Sequence, residues 1–391
     1  MTPPADSDNP ARAVADAAVL KADDGARGAN PYYWHRIQDL LATVADAVVS
    51  CGDAELSAAI EALEADPADV GRWQRVRELA KAAMDDPDRK TEDLTQAAWD
   101  LSRRSRLGYH VGGAYDRTAT EDGGWPRWEA AAKPSGSGEP LAQIVIPFRN
   151  RDGNEYRARN LVACLKSLSD QSVDRSSYQV TVVESDDEPR WRDLAENYAD
   201  EHLFAPHGGP FNKCWAVNVG VVNTARPAPV VCVLDADALV DREFVERNVA
   251  RFDRDGAGGF MPFRDVTYVD QPASVRAVAD RCVAGRPEAD PGRLRGFLVH
   301  RAPGLCVWLR RDVFNAVGGM DERFEGWGRE DLDFVLRVQL ATAFDQYDDT
   351  MLHLYHPSSA LLNNGQTVNA HIPLLSWQPE EPIGRIDRYR D

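Results

Sequence analysis

The chain has no CxxC pair. Its six cysteines, Cys51, Cys164, Cys214, Cys232, Cys282 and Cys306, are scattered, several of them inside apolar runs. That pattern excludes a disulfide framework and a zinc ribbon, and reads as reduced, buried thiols of a cytoplasmic protein. Long apolar runs are missing too: nothing approaches the roughly 18 residues a membrane span needs. Met1 to Asn30 also lacks the basic start and apolar centre of a secretory signal, so the expectation is a soluble, unsecreted, cytoplasmic chain. Basic charge is in short supply, with 45 Lys and Arg against 63 Asp and Glu and a net charge of -18. A nucleic-acid or anionic-membrane binder would need the opposite balance, so neither is expected. What is plentiful is core material: 43% hydrophobic residues in 391, room for two or three domains.

In chain order, residues 1–30 are rich in Ala, Asp, Pro and Gly with little apolar bulk, and read as a disordered tail. Four amphipathic helical patterns follow over Tyr33 to Val49, Ala54 to Ala65, Val70 to Met84 and Thr91 to Arg106, giving a helical N-terminal region at residues 31–110 with no chemistry of its own. Residues 111–140, with Gly-Gly-Trp-Pro and Ser-Gly-Ser-Gly, read as a connector. The character then changes. Gln143 to Pro147, Tyr178 to Glu184 and Val230 to Leu234 are short β-branched runs separated by helical patterns. Such alternation predicts an α/β domain with a Rossmann-like, mostly parallel sheet flanked by helices, over residues 141–372. Ligands of such a fold sit at the carboxyl ends of its strands. Residues 373–391 read as an irregular strap.

Polar clusters stand just past two of those strand ends. Arg149-Asn150-Arg151 offers two guanidiniums suited to a diphosphate or a base carbonyl, or else two surface charges. Asp235-Ala236-Asp237 holds two carboxylates that repel each other unless a cation bridges them. A third stretch, Gly326-Trp327-Gly328-Arg329-Glu330-Asp331-Leu332-Asp333, sets an aromatic between two glycines and three carboxylates in the first turn of a helix. Acidic first turns are common on dipole grounds alone.

In order and spacing these stretches resemble the GT-A glycosyltransferases, in particular the β-1,4-galactosyltransferase and chondroitin-polymerase-like group. The resemblance is carried by Ile146-Pro147-Phe148-Arg149-Asn150-Arg151, Phe211-Asn212-Lys213 with Asn218-Val219-Gly220, Asp235-Ala236-Asp237 and the Gly-Trp-Gly stretch. It covers residues 141 to 372. It implies that Pro147, Arg149, Arg151, Phe211, Lys213, Asp235, Trp327 and Gly328 bind the donor, with Lys213 in place of an arginine. It further implies that Trp327, Glu330 and Asp331 bind the acceptor, and that Asp331 is the general base, with Glu330 beside it. Asp237 and His356 match metal ligands, and His353 stands where those enzymes carry a methionine. The implied cation is Mn(II), with Mg(II) the alternative, since imidazole in place of a thioether widens tolerance toward harder ions.

The implied reaction moves a sugar from a UDP-sugar to a hydroxyl of a carbohydrate, peptide or small-molecule acceptor, with inversion. Retention remains open, because retaining GalNAc-transferase-like enzymes share the Gly-Trp-Gly resemblance. So does a noncatalytic nucleotide-sugar-binding or docking protein on the same fold. A bacterial-type cytoplasmic enzyme fits the absence of an anchor. Residues 357–371 fall where the family has a loop that closes over the donor, and are expected to act as a lid.

Overall fold

In the computed structural model, which describes residues 10–120, 139–254, 256–358 and 362–389, fourteen strands are found among the described residues. They are β1 (Leu107–Val111), β2 (Ala142–Phe148), β3 (Tyr178–Glu184), β4 (Glu201–Phe204), β5 (Val230–Leu234), β6 (Ala238–Leu239) and β7 (Ala257–Met261), then β8 (Asp265–Val269), β9 (Arg295–His300), β10 (Cys306–Arg310), β11 (Ala343–Gln346), β12 (Met351–His353) and the hairpin β13 (Leu362–Asn363) and β14 (Gln366–Thr367). Seven form the main sheet, in the order β11-β7-β10-β5-β2-β3-β4. β2 pairs in parallel with both β3 and β5, and β3 with β4, while β10 runs antiparallel between β5 and β7. β2, β3 and β5 are buried at every residue, as their largely apolar and β-branched sequences lead one to expect once helices cover both faces, with Gln143, Gln179 and Glu184 as buried polar exceptions. Helices Glu155–Ser169 and Lys213–Asn223 supply part of that cover. The predicted α/β architecture, a mostly parallel sheet flanked by helices, is therefore present.

A second sheet, in the order β1-β9-β8-β12-β6, joins the two halves of the chain. One edge strand, β1, lies within the stretch expected to end the helical region and begin the connector. It pairs antiparallel with β9 because Leu107 and Tyr109 bury themselves against it. Of the rest of the predicted connector, residues 121–138 lie outside the described residues.

The disordered tail expected over residues 1–30 is corrected for residues 10–29. Pro10–Ala22 is a helix whose Ala11, Val14, Ala15, Val19 and Leu20 are each 1% exposed or less, and Asp24–Ala29 is a further helix. The reason is steric. Alanine gives little apolar bulk per residue, but its small side chain lets this helix lie close among Gln38–Cys51, Ala54–Ala65, Val70–Asp85 and Glu92–Arg104, so its backbone is covered on every side. An acid is partly enclosed there too: Asp16 accepts from Trp73 Nε1 at 2.9 Å. The pattern predicted over Tyr33 to Val49 is split at Ile37 into Pro31–Arg36 and Gln38–Cys51. Residues 373–389 form no helix or strand. They bind back through Trp215 Nε1, which donates to the Arg385 carbonyl at 2.9 Å, and through Tyr389, stacked on His207 with centroids 3.8 Å apart. Among the described residues no helix is long and apolar enough to cross a membrane.

Candidate active site

β5 ends at Leu234 and the chain turns through Asp235-Ala236-Asp237 into β6, whose antiparallel partner β12 sets His353 opposite Ala238. The backbone closes the arrangement, Leu354 N donating to the Asp237 carbonyl at 2.8 Å. Asp237 Oδ2 lies 3.4 Å from His353 Nε2 and 3.1 Å from His356 Nε2. One ligand atom from each of the three residues falls within 4.8 Å of the others. His356 Nδ1 lies 2.9 Å from the Pro357 carbonyl; when Nδ1 carries the proton that this contact favours, Nε2 keeps its lone pair for a metal. His353 is stacked on Tyr268, with centroids 4.1 Å apart and planes 20° from parallel.

The cluster also fits a divalent cation by what it lacks. Asp237 Oδ1 is buried with no hydrogen-bond partner, an expensive state for a carboxylate oxygen and one that a bound cation would relieve. Burial alone would raise the Asp237 carboxyl, but the two imidazoles hold it below the usual range. Burial lowers His353 to about 4. It works the same way on His356, where the hydrogen bond and charge of Asp237 outweigh it and the group is raised.

A second polar group sits on the same cavity wall. Lys213, at the start of its helix, places Nζ 2.6 Å from Asp235 Oδ1 and 2.9 Å from Asp331 Oδ1. Burial opposes a charge on Lys213, but Asp235 and Asp331 hold it charged, well above the usual lysine range. Burial raises Asp235 to about 7 against the pull of Lys213. Glu330 is raised to about 7 by burial and then by the charge of Asp331, and its Oε2 has no partner. The backbone that presents these acids is unusual. Gly326 and Gly328 have φ of 75° and 109°, and Arg329, which begins the Glu330–Ala341 helix, has φ of 79°. Those conformations explain the glycines and mark strain at a site. Asp331 leans so close to Gly304 that a Cβ there would lie 2.2 Å from its Oδ2. Asp333, by contrast, is taken up structurally by Arg337 Nε at 2.8 Å and Leu375 N at 2.7 Å.

A cavity of about 1180 Å³ is lined by Pro147, Arg149, Phe211, Lys213, Asp235, Asp237, Trp327, Gly328, Glu330, Asp331, His353 and His356. Of the site residues expected from sequence, Arg151 alone is not on its wall. Its guanidinium binds Asp186 at 2.9 Å and the carbonyls of Gly208 and His207. Asp186 is fully buried and needs that countercharge more than a ligand would. Arg157, Tyr268 and Gly304 line the cavity without having been singled out, as does a run from Asp23 to Tyr33. In sequence that run was marked only by Gly25, Gly28 and the pair Tyr32-Tyr33. The segment expected to be a lid packs on the Gly-Trp-Gly loop: Asn369 Nδ2 donates to the Gly328 carbonyl at 3.1 Å, and Arg329 Nη1 to the Ala370 carbonyl at 2.7 Å. Residues 359–361 of it lie outside the described residues.

Two family models match. Residues 143–318 match "Glycosyl transferase family 2" and residues 300–356 match "N-terminal domain of galactosyltransferase". No curated protein matches the chain by sequence. Among solved structures, Staphylococcus aureus TarS residues 1–349 is similar at 12% identity and a TM-score of 0.38, over 55% of this chain and 60% of that one. The mannosyltransferase PcManGT from Pyrobaculum calidifontis, in complex with GDP-Man and Mn2+, is similar at 15% identity and a TM-score of 0.36, over 59% and 61%. Drosophila β1,4-galactosyltransferase 7, in complex with xylobiose, is similar at 16% identity and a TM-score of 0.34, over 57% and 76%. The chain thus spans about 60% of the TarS structure's length. The assignment rests on the two family models and not on these superpositions. What those models show is a family 2 glycosyl transferase domain over residues 143–318 that runs into a galactosyltransferase-type segment over residues 300–356.

Proposed function

We propose that the protein transfers a sugar from a UDP-sugar to an acceptor hydroxyl with inversion, using a divalent cation held by Asp237, His353 and His356. Mn(II) is the first choice and Mg(II) the alternative. The observation that carries this reading is the orphaned Asp237 Oδ1 beside two imidazoles, on the same cavity wall as the Lys213–Asp331 pair. A cation bound there would neutralise charge on the departing diphosphate.

The chain's own groups do the remaining work. Arg149, half-enclosed at the end of β2 with Nη1 lacking any partner, is available to a phosphate oxygen. Lys213 fixes the orientation of Asp331 and keeps a positive charge beside the carboxylates, so the three acids Asp235, Glu330 and Asp331 tolerate one another. Asp331, at the first turn of its helix, takes the proton from the attacking hydroxyl. Glu330 is raised to about 7; in its protonated form it donates a hydrogen bond and in its ionised form it accepts one, so it suits a substrate hydroxyl. Trp327, held between two glycines of positive φ, covers the reacting sugars and excludes water.

The test is a thermal-shift and hydrolysis panel of UDP- and GDP-sugars with Mn(II), Mg(II) or EDTA, on the wild type and Asp237→Ala. Metal-dependent stabilisation and slow hydrolysis of one UDP-sugar are expected, both lost in the variant. If no nucleotide sugar binds with any metal, the proposal fails and a noncatalytic role on this fold replaces it.

A further inference from the structure

The run from Asp23 to Tyr33 belongs to the N-terminal helices, far in sequence from the glycosyltransferase motifs, yet it lines the same cavity as Asp237 and Asp331. It is fastened there by a buried cation. Arg295 on β9 pairs with Asp23 and, at 2.9 Å, with Asp270, while its Nε donates to Tyr109 on β1 at 2.8 Å. β9 belongs to the sheet that also holds His353, so the helices and the metal cluster share one rigid support. On the far side the lid hairpin reaches the same helices: a Cβ on Gly365 would lie 3.1 Å from His35 Nε2. The Trp327 loop, to which the residues just after that hairpin are bonded, therefore faces a wall made by another part of the chain.

From this we propose that residues 24–33 form the acceptor-side wall of the active site and select a neutral glycoside as acceptor. The inference rests on the glycosyl-transfer reading above and adds to it the element that discriminates acceptors. Three features support it. Tyr32 and Tyr33 line the wall edge to face, with centroids 5.6 Å apart and ring planes at 62°, and Arg36 and Arg106 hold the two rings. Tyrosine rings with polar tips suit the C–H faces and hydroxyls of a sugar. The charge on this side is mixed and not strongly basic: Asp24 is exposed with no ion pair among the described residues and Arg295 is spent on Asp23 and Asp270, while Arg36 and Arg106 are held against the tyrosine rings. Glu330 and Asp331 beyond it offer carboxyl oxygens that accept hydrogen bonds from hydroxyls, which suits a neutral glycoside better than a phosphorylated acceptor. Finally, there is room: apart from its own helix backbone and chain neighbours, nothing lies within 4 Å of a Cβ built on Gly28, itself on the cavity wall.

The experiment uses the full chain as wild type, Gly28→Trp and Tyr32→Ala. Donor-side competence is read as Mn(II)-dependent UDP-sugar hydrolysis. Acceptor binding is read by ligand-observed NMR with UDP and Mn(II) present, using methyl β-glycosides of glucose, xylose, galactose and N-acetylglucosamine, cellobiose and xylobiose as probes, with glucose 6-phosphate and a Ser/Thr peptide beside them. At least one neutral saccharide should bind the wild type, and both variants should weaken it at least about tenfold with hydrolysis kept within about twofold, which also reports that they are folded. Saccharide binding unchanged in both variants, with hydrolysis intact, overturns the acceptor wall and leaves the glycosyl-transfer reading standing. Binding of the phosphate or the peptide alone overturns the choice of a neutral glycoside. Absence of hydrolysis for every nucleotide sugar in the wild type overturns both readings.

Discussion

Glu330 is 9% exposed and keeps one carboxyl oxygen, Oε2, that no donor reaches; replacing it by glutamine measures what that arrangement costs. Burial, and then the charge of Asp331, raise its carboxyl from the ordinary 4.5 to about 7. Between those two pH values the native protein holds a proton that the unfolded chain has released. The native state therefore binds more protons, and stability falls as pH rises through the window, the full penalty being present above about pH 7. At about 1.4 kcal/mol per pH unit the difference comes to about 3 kcal/mol. Glutamine has nearly the same shape and no charge to desolvate. Glu330→Gln should thus gain up to about 3 kcal/mol at pH 8 and little at pH 4.5, while sugar transfer falls. Urea unfolding of both proteins at half-unit steps from pH 4.5 to 8.5 checks this, with transfer to the best acceptor measured in parallel. Curves that stay parallel across the window, or a variant less stable than wild type at pH 8, would refute the reasoning.

Gly304→Ala puts a methyl group 2.2 Å from Asp331 Oδ2, so the carboxylate must move. Transfer should drop on the order of a hundredfold, because a catalytic group misplaced by about an ångström costs that much, while UDP affinity measured calorimetrically stays within about twofold. Lys213→Met leaves the half-buried Asp235 and Asp331 without their shared cation. A loss of about 3 kcal/mol in urea unfolding at pH 8 is expected, shrinking at pH 5 as Asp235 takes up a proton.

The parts of the fold that were legible are those where one local pattern decides the structure. β3 and β5 lie where runs rich in β-branched residues put them, Tyr178–Glu184 and Val230–Leu234, because such runs suit a strand buried on both faces. The helix Ala54–Ala65 follows its apolar spacing. Pro147, Arg149, Asp235 and Asp237 were legible as cavity-lining residues for a related reason: they lie at or just past the ends of β2 and β5, where the chain has to turn. Arg151 fails because its fate depends on Asp186, which becomes a fully buried neighbour only through the pairing of β2 with β3. Lys213 differs from the arginine of the resembled motif in a way that the structure makes physical. A guanidinium fork reads one carboxylate with two nitrogens, whereas a single ammonium can be shared, here by Asp235 at 2.6 Å and Asp331 at 2.9 Å.

The N-terminal helices show why the other side of the cavity was not legible. Residues 10–29 carry little apolar bulk, and a reading by composition assigns them to solvent. Their order comes instead from alanines thin enough for four other helices to close around them, and from an ion pair whose partners, Asp23 and Arg295, are 272 positions apart. Neither feature leaves a periodic trace near residues 24–33. A donor site is built from motifs that hold whichever acceptor is used, so it can be read locally. A surface that chooses the acceptor is free to come from any segment the fold brings to the mouth of the cavity, and here that segment is the one whose sequence, taken alone, gives least reason to expect structure.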